Sequence, residues 1–244
     1  MNLERIGKFF GEKAIKPKIE RLREKVENFD VEIFDGENLE GLKGRAYLIT
    51  ANHVKPEGAA SQQSGLSQDA FVIERTIANR TGQQVRIVSK CDDGWWADNV
   101  YKYFQKYVYQ PFGKGMIEGA GLIPIKKNPG SFNRDFMKTV ELVAEKGEPI
   151  LIFPEGTWYD DYDKEHPMSN GAAQIAMKYG LPVVPTYIKG SNSWKPEGKI
   201  QLAFGESIDV TGKTKEEITE LIRQGIAKEQ ETVNSAIEEE QQEN

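Results

Sequence analysis

Between Ala46 and Phe204 the chain alternates two hydrophobic periods, and this constrains its fold more than any other feature. Short runs rich in Ile and Val fall at Ala46–Thr50, Val85–Ser89, Gly121–Ile125, Ile150–Phe153, Val183–Ile188 and Ile200–Phe204. Helical patterns lie between several of them, at Asp69–Asn79, Asp98–Tyr109, Ser131–Glu145 and Asn170–Tyr179, and Lys215–Ile237 reads as a long closing helix. Strands that are apolar on both faces and alternate with helices predict an α/β fold: a mostly parallel or mixed central sheet with helices on both faces. "LPVVPTYIKG" at Leu181–Gly190 carries two prolines, which predicts an edge or irregular strand.

The N-terminus predicts a separate helical appendage over residues 1–28. Leu3, Ile6, Phe9 and Phe10 share one face, and Pro17 opens a second segment in which Ile15, Ile19, Leu22 and Val26 recur at helical spacing. Eight Lys or Arg against five Glu give the first 27 residues a charge of +3. Packing on the main domain and lying in a bilayer interface are both consistent with this pattern. Residues 29–228 then form the main domain. From Glu229 to Asn244 there are six glutamates and no basic residue, which reads as a solvated acidic helix end. "CDDGWWADNVYKYFQKYVYQPFG" from Cys91 reads as a helix packed on the sheet, or as an aromatic wall at a lipid boundary.

Composition excludes several classes. One cysteine allows no internal disulfide and suits a reducing compartment. No run of eighteen apolar residues is present, so no membrane-spanning helix is expected, and the first residues lack the apolar core of a signal peptide. No dense basic patch with interleaved aromatics points to nucleic acid. Two distant histidines and one cysteine argue against zinc. "GKT" at Gly212–Thr214 lacks the glycine and the strand–loop–helix context of a phosphate loop. "GKGMIEGAG" has the wrong glycine spacing for a dinucleotide turn, and no G-x-S-x-G elbow occurs.

Four segments remain: "ITANH" at Ile49–His53, "GLIPIKK" at Gly121–Lys127, "FPEGTW" at Phe153–Trp158, and "LPVVPTYIKG". In this order they resemble the glycerolipid acyltransferase family, typified by 1-acylglycerol-3-phosphate acyltransferases. That family carries N-H-x-x-x-x-D, G-x-[IF]-[PF]-[IV]-x-R, F-P-E-G-T-R and a P-V-x-P strand. The resemblance implies the glycerol-3-phosphate acyltransferase-like fold and makes His53 a general base with a carboxylate partner. It implies that Lys127, Glu155, Gly156 and Thr157 shape the acceptor pocket. It implies no metal and no cofactor beyond an acyl-CoA or acyl-carrier-protein donor. The acceptor would be a lysophospholipid or glycerol phosphate, at a cytoplasmic site peripheral to the membrane. Acylation of glycerol 3-phosphate itself and a catalytically inactive, lipid-binding relative are the competing readings.

The chain departs from the family at two places. The aspartate expected five positions after His53 is Gly58. Asp69 is the better substitute, because "SQDAFVI" continues as the family does after its aspartate, with Ser67 placed to cap the helix. About eleven extra loop residues cost little closure entropy. Glu57, one position early and one methylene longer, is the alternative. The second departure is on the acceptor side. Trp158 stands for the arginine after F-P-E-G-T, and Lys127 for the other arginine. Lysine offers a point charge where arginine grips phosphate bidentately. Trp158 is expected either to pack at the rim or to meet a different headgroup or acyl chain.

Overall fold

The computed structural model describes residues 2–57, 67–90, 110–125, 134–193 and 198–242. The helical pattern at 98–109, most of the aromatic stretch, Lys126 and Lys127 lie outside them.

Among the described residues seven strands form one sheet: β1 (Val31–Phe34), β2 (Leu48–Ala51), β3 (Arg86–Lys90), β4 (Ile123–Ile125), β5 (Ile150–Ile152), β6 (Val183–Lys189) and β7 (Ile200–Phe204). Their order is β1-β7-β6-β2-β5-β3-β4. The five strands from β6 to β4 are parallel, and β7 runs antiparallel to β6 and pairs with β1, so the sheet is mixed. Successive residues of a strand face opposite sides. Ile49, Leu151 and Val184 therefore join one core layer with α2 (Lys16–Val26) and α3 (Gln68–Thr81). Leu48, Ile150 and Val183 join the other, with α5 (Arg134–Glu145), α6 (Gly171–Tyr179) and α7 (Lys215–Gln242).

β6 is an interior strand, which corrects the expectation of an edge. Both its neighbours are paired, with Thr50 opposite Pro185 on the β2 side. Proline is tolerated because of where its missing N–H falls. Thr186 opposes Phe204 and Val183 opposes Ile208, so the chain leaving β7 has one extra residue across this stretch. Pro185 lies at that bulge. Its carbonyl accepts from the Gly205 N–H at 2.8 Å, and its ring occupies space left by Gly205 and Gly225. A bulge is one of the few interior places where a strand can spare a donor.

The N-terminal segment packs on the main domain through its second half. In α2, Ile19 and Val26 are buried and Arg23 grips the buried Glu74 with two hydrogen bonds of 3.0 and 2.6 Å. Before it, α1 (Leu3–Phe10) runs through a π turn at Gly11–Ile15 and packs on α4 (Gln110–Gly119). The two helices touch backbone to backbone. A Cβ on Gly7, Gly11, Gly115 or Gly119 would stand 2.0 to 2.1 Å from a carbonyl oxygen of the facing helix. Glycines four apart on both helices permit this approach. Thus Gly115 and Gly119, in the stretch that fails as a dinucleotide turn, are packing residues. The opposite side of α1 leaves Ile6 and Phe9 exposed, Phe9 by 63%, and Phe10 is exposed at its flank, where its ring meets that of Phe112 on α4. Among the described residues no helix is long and apolar enough to cross a membrane.

The acidic stretch begins inside α7, which stays packed beyond residue 229. Glu229 and Val233 are buried and Ile237 touches the core, so only the last turns are solvated. Glu229 Oε2 has no partner among the described residues, and burial raises its carboxyl above the usual range. A carboxyl raised on folding favours the fold below its unfolded pKa, and that contribution is lost as pH rises through the folded value. Glu229→Gln should therefore stabilise the protein at pH 7, by on the order of 1 kcal/mol or about 2–4 °C in Tm, with the gain shrinking toward pH 4. Thermal unfolding across pH measures this, and a loss of Tm at pH 7 would contradict it.

Candidate active site

β2 lies between β5 and β6, and the connections leaving β2 and β5 pass through α3 on one face and α6 on the other. Crevices at the carboxyl edge of such sheets are where α/β folds bind ligands. His53 stands there, two residues beyond β2. Asn52 fixes this strand end by bonding both backbone groups of Ile188 on β6, its amide donating to the carbonyl at 2.9 Å and its oxygen accepting from the N–H at 2.8 Å.

Asp69 reaches His53 from the first turn of α3. Its Oδ2 lies 2.7 Å from His53 Nδ1 and accepts the Val54 N–H at 3.0 Å. Its Oδ1 accepts the Ala70 N–H at 2.7 Å and the Ser67 hydroxyl. Ser67 occupies the N-cap position, but its hydroxyl serves the carboxylate and makes no capping bond to the helix. The side chain of Asp69 is wholly buried, and the imidazole is 9% exposed. A buried carboxylate needs such donors, and the helix N-terminus adds a favourable dipole. Accepting from Nδ1–H places the lone pair of a neutral ring on Nε2. Among the described residues Nε2 has no hydrogen-bond partner.

Glu57 turns elsewhere. It is exposed, its N–H donates to the Asn192 carbonyl at 2.8 Å, and its carboxylate lies 3.5 Å from the Asn192 amide. Between the two candidate partners, the structure brings only Asp69 to His53.

The turn after β5 supplies the other wall. Phe153 stacks on the His53 ring, with centroids 4.1 Å apart and planes at 16°. Trp158 meets it edge-on at 5.6 Å and 65°. The tryptophan in the arginine position is thus a buried neighbour of the imidazole. Its Nε1 and the Thr157 Oγ1 are buried without a partner among the described residues. Gly156 has φ of 67°, a left-handed conformation that suits glycine, and its N–H closes the turn onto the Phe153 carbonyl at 3.1 Å.

Glu155 faces inward. Its Oε2 accepts the His53 backbone N–H at 2.9 Å and its Oε1 lies 3.2 Å from His166 Nδ1. Burial pushes the Glu155 carboxyl up, and the donors from His53 and His166 partly offset this. Tyr159 completes the frame: its N–H donates to the His53 carbonyl at 3.0 Å, and its carbonyl accepts the Lys55 N–H at 2.8 Å. Of the sequence-predicted residues, His53, Asp69, Glu155, Gly156 and Thr157 gather at this edge, and Lys127 lies outside the described residues. Asn52, Tyr159 and His166 were not singled out from sequence, and Ser67 was read as a helix cap rather than as a donor to Asp69. Asn52 stands inside the N-H pair and was within reach of that motif; His166 carried no signal beyond being the second histidine.

A model of the acyltransferase family matches residues 67–189, half of the chain, and the chain belongs to that family. The match opens two residues before Asp69 and does not include His53. A chloroplastic 1-acyl-sn-glycerol-3-phosphate acyltransferase of Brassica napus is 33% identical over 101 residues, 40% of this chain and 29% of that protein. One from Chlamydomonas reinhardtii is 36% identical over 94 residues, 36% of this chain and 28% of that protein. The chain thus spans less than a third of the length of these curated relatives. The crystal structure of the 1-acyl-sn-glycerophosphate acyltransferase PlsC from Thermotoga maritima has the same fold. Its TM-score is 0.51 at 19% identity, over 89% of this chain and 81% of that one.

Glu155→Ala would strand the His53 backbone N–H, a buried donor. Denaturant unfolding should show a loss of about 1–3 kcal/mol, and an unchanged midpoint would mean that Glu155 does not hold this strand end.

Proposed function

We propose that this chain transfers a fatty acyl group from acyl-CoA or acyl-carrier protein to the hydroxyl of a lysophospholipid of the lysophosphatidate type. The observation that carries this reading is the buried His53–Asp69 pair at the carboxyl edge of the sheet, with Nε2 turned to no described partner. An alcohol is a weak nucleophile until a base takes its proton. His53 Nε2 takes that proton, and the hydroxyl oxygen attacks the thioester carbonyl. The tetrahedral intermediate collapses to the ester and releases the thiolate, which recovers the proton from the imidazolium. Asp69 holds the tautomer and stabilises the imidazolium while it exists. No covalent enzyme intermediate and no cofactor are needed.

Trp158 bears on the acceptor. An indole beside the base presents an apolar edge and one N–H where an arginine would present five donors and a full charge. This favours an acceptor that meets the base through an apolar or uncharged group, with any phosphate held elsewhere. Lys127 is the candidate for that contact.

The exposed side of α1 supports docking on a bilayer. Ile6, Phe9 and Phe10 would enter the interface, with Arg5, Lys8 and Lys13 nearby for anionic headgroups.

Mass spectrometry of products tests the reaction, pairing acyl-CoA and acyl-carrier-protein donors with lysophospholipids and glycerol 3-phosphate. Wild type should acylate a lysophospholipid, and His53→Ala should lower kcat by about 10²–10⁴-fold. Asp69→Asn should lose activity similarly, whereas Glu57→Gln should not. Free fatty acid as the sole product would indicate hydrolysis instead. Phe9→Asp should reduce flotation with vesicles containing anionic phospholipid, and equal flotation would return α1 to a purely packing role.

A further inference from the structure

The two histidines of the chain meet through one carboxylate. Glu155, whose side chain is 1% exposed, accepts the His53 backbone N–H on one oxygen and faces His166 Nδ1 with the other. The ring of His166 also stacks on Tyr159, with centroids 3.5 Å apart and planes at 16°. Tyr159 in turn donates its N–H to the His53 carbonyl. His166 therefore touches both groups that hold the His53 main chain, one on its N–H and one on its C=O. Its own backbone is tied down from α7: Arg223 donates to the His166 carbonyl at 2.9 Å and to that of Lys164, and the Tyr162 hydroxyl donates to the Arg223 carbonyl at 3.0 Å.

We propose that His166 is a positioning residue for His53: by donating Nδ1–H to Glu155 and backing Tyr159, it fixes the peptide from which the base projects. The proposal rests on the reading of His53 as the base. The bond to Glu155 is the directional part. A carboxylate can turn between acceptor geometries unless both its oxygens are engaged, and one such turn would release the His53 N–H. Reaction geometry is sensitive at this scale, a displacement of about 1 Å costing on the order of 10²-fold in rate.

Two substitutions separate the donor from the ring. His166→Asn keeps an N–H donor near the position of Nδ1 and loses the stack. His166→Phe keeps the stack and loses the donor. The expected result is a kcat for His166→Phe reduced about 10–100-fold with KM within about twofold, and a kcat for His166→Asn within about threefold of wild type. Full kcat in His166→Phe, or equal losses in both variants that follow their Tm, would overturn the proposal.

The second readout needs no turnover and stands even if the acyl-transfer reading fails. The chain has two histidines, so each His166 variant leaves a single imidazole signal, that of His53. In ¹⁵N-histidine-labelled protein the Nδ1–H resonance held by Asp69 should persist in His166→Asn and shift or broaden in His166→Phe. An identical resonance in both would show that His53 does not depend on His166.

Discussion

The carboxylate of Asp69 is the point on which the candidate site is built. Fully buried, it takes donors from an imidazole, two backbone amides and a hydroxyl, supplied by two stretches of chain, 53–54 and 67–70. A buried carboxylate missing one of these would cost several kcal/mol or surrender its charge. Satisfying it fixes the start of α3 against the end of β2 and fixes the imidazole tautomer. A second buried carboxylate, Glu155, secures the same strand end from the other side. One carboxylate holds the ring of His53 and the other holds its backbone.

Much of the fold was legible because α/β proteins write their layers into hydrophobic periods. Ala46–Thr50 reads as a strand apolar on both faces, and the strand found there, Leu48–Ala51, has helices on both sides. Val31–Phe34 was missed because it is half-buried along its length and carries Glu32 in its middle, so neither period stands out. Pro185 was legible only in part: it marks an irregular strand, but not an edge. Proline removes a donor, but whether that donor was needed depends on the register of a strand fifteen residues further on. The bulge opposite Pro185 is a property of pairing, which a single strand does not encode.

The site was legible to the extent that it follows motifs. His53 and Glu155 announce themselves by their neighbours, and Asp69 by the apolar helix that follows it. The choice between Asp69 and Glu57 needed space: the chain beyond His53 is drawn outward by Tyr159 and Asn192, carrying Glu57 with it. His166 was not legible, because its partner lies eleven residues earlier across an irregular turn with no repeat or period.

The anchoring of the chain on both sides of the 58–66 segment has a consequence for how such a protein can diversify. Lys55 and Glu57 are tied to the sheet edge by backbone hydrogen bonds, and Ser67 and Asp69 are tied to His53 and Val54. The take-off and landing points are thus set independently of what joins them. Residues can be added or exchanged between them without touching the bonds that assemble the His53–Asp69 pair. The two anchors act as a frame: the sequence between them is free to vary in length and composition while the His53–Asp69 pair is kept.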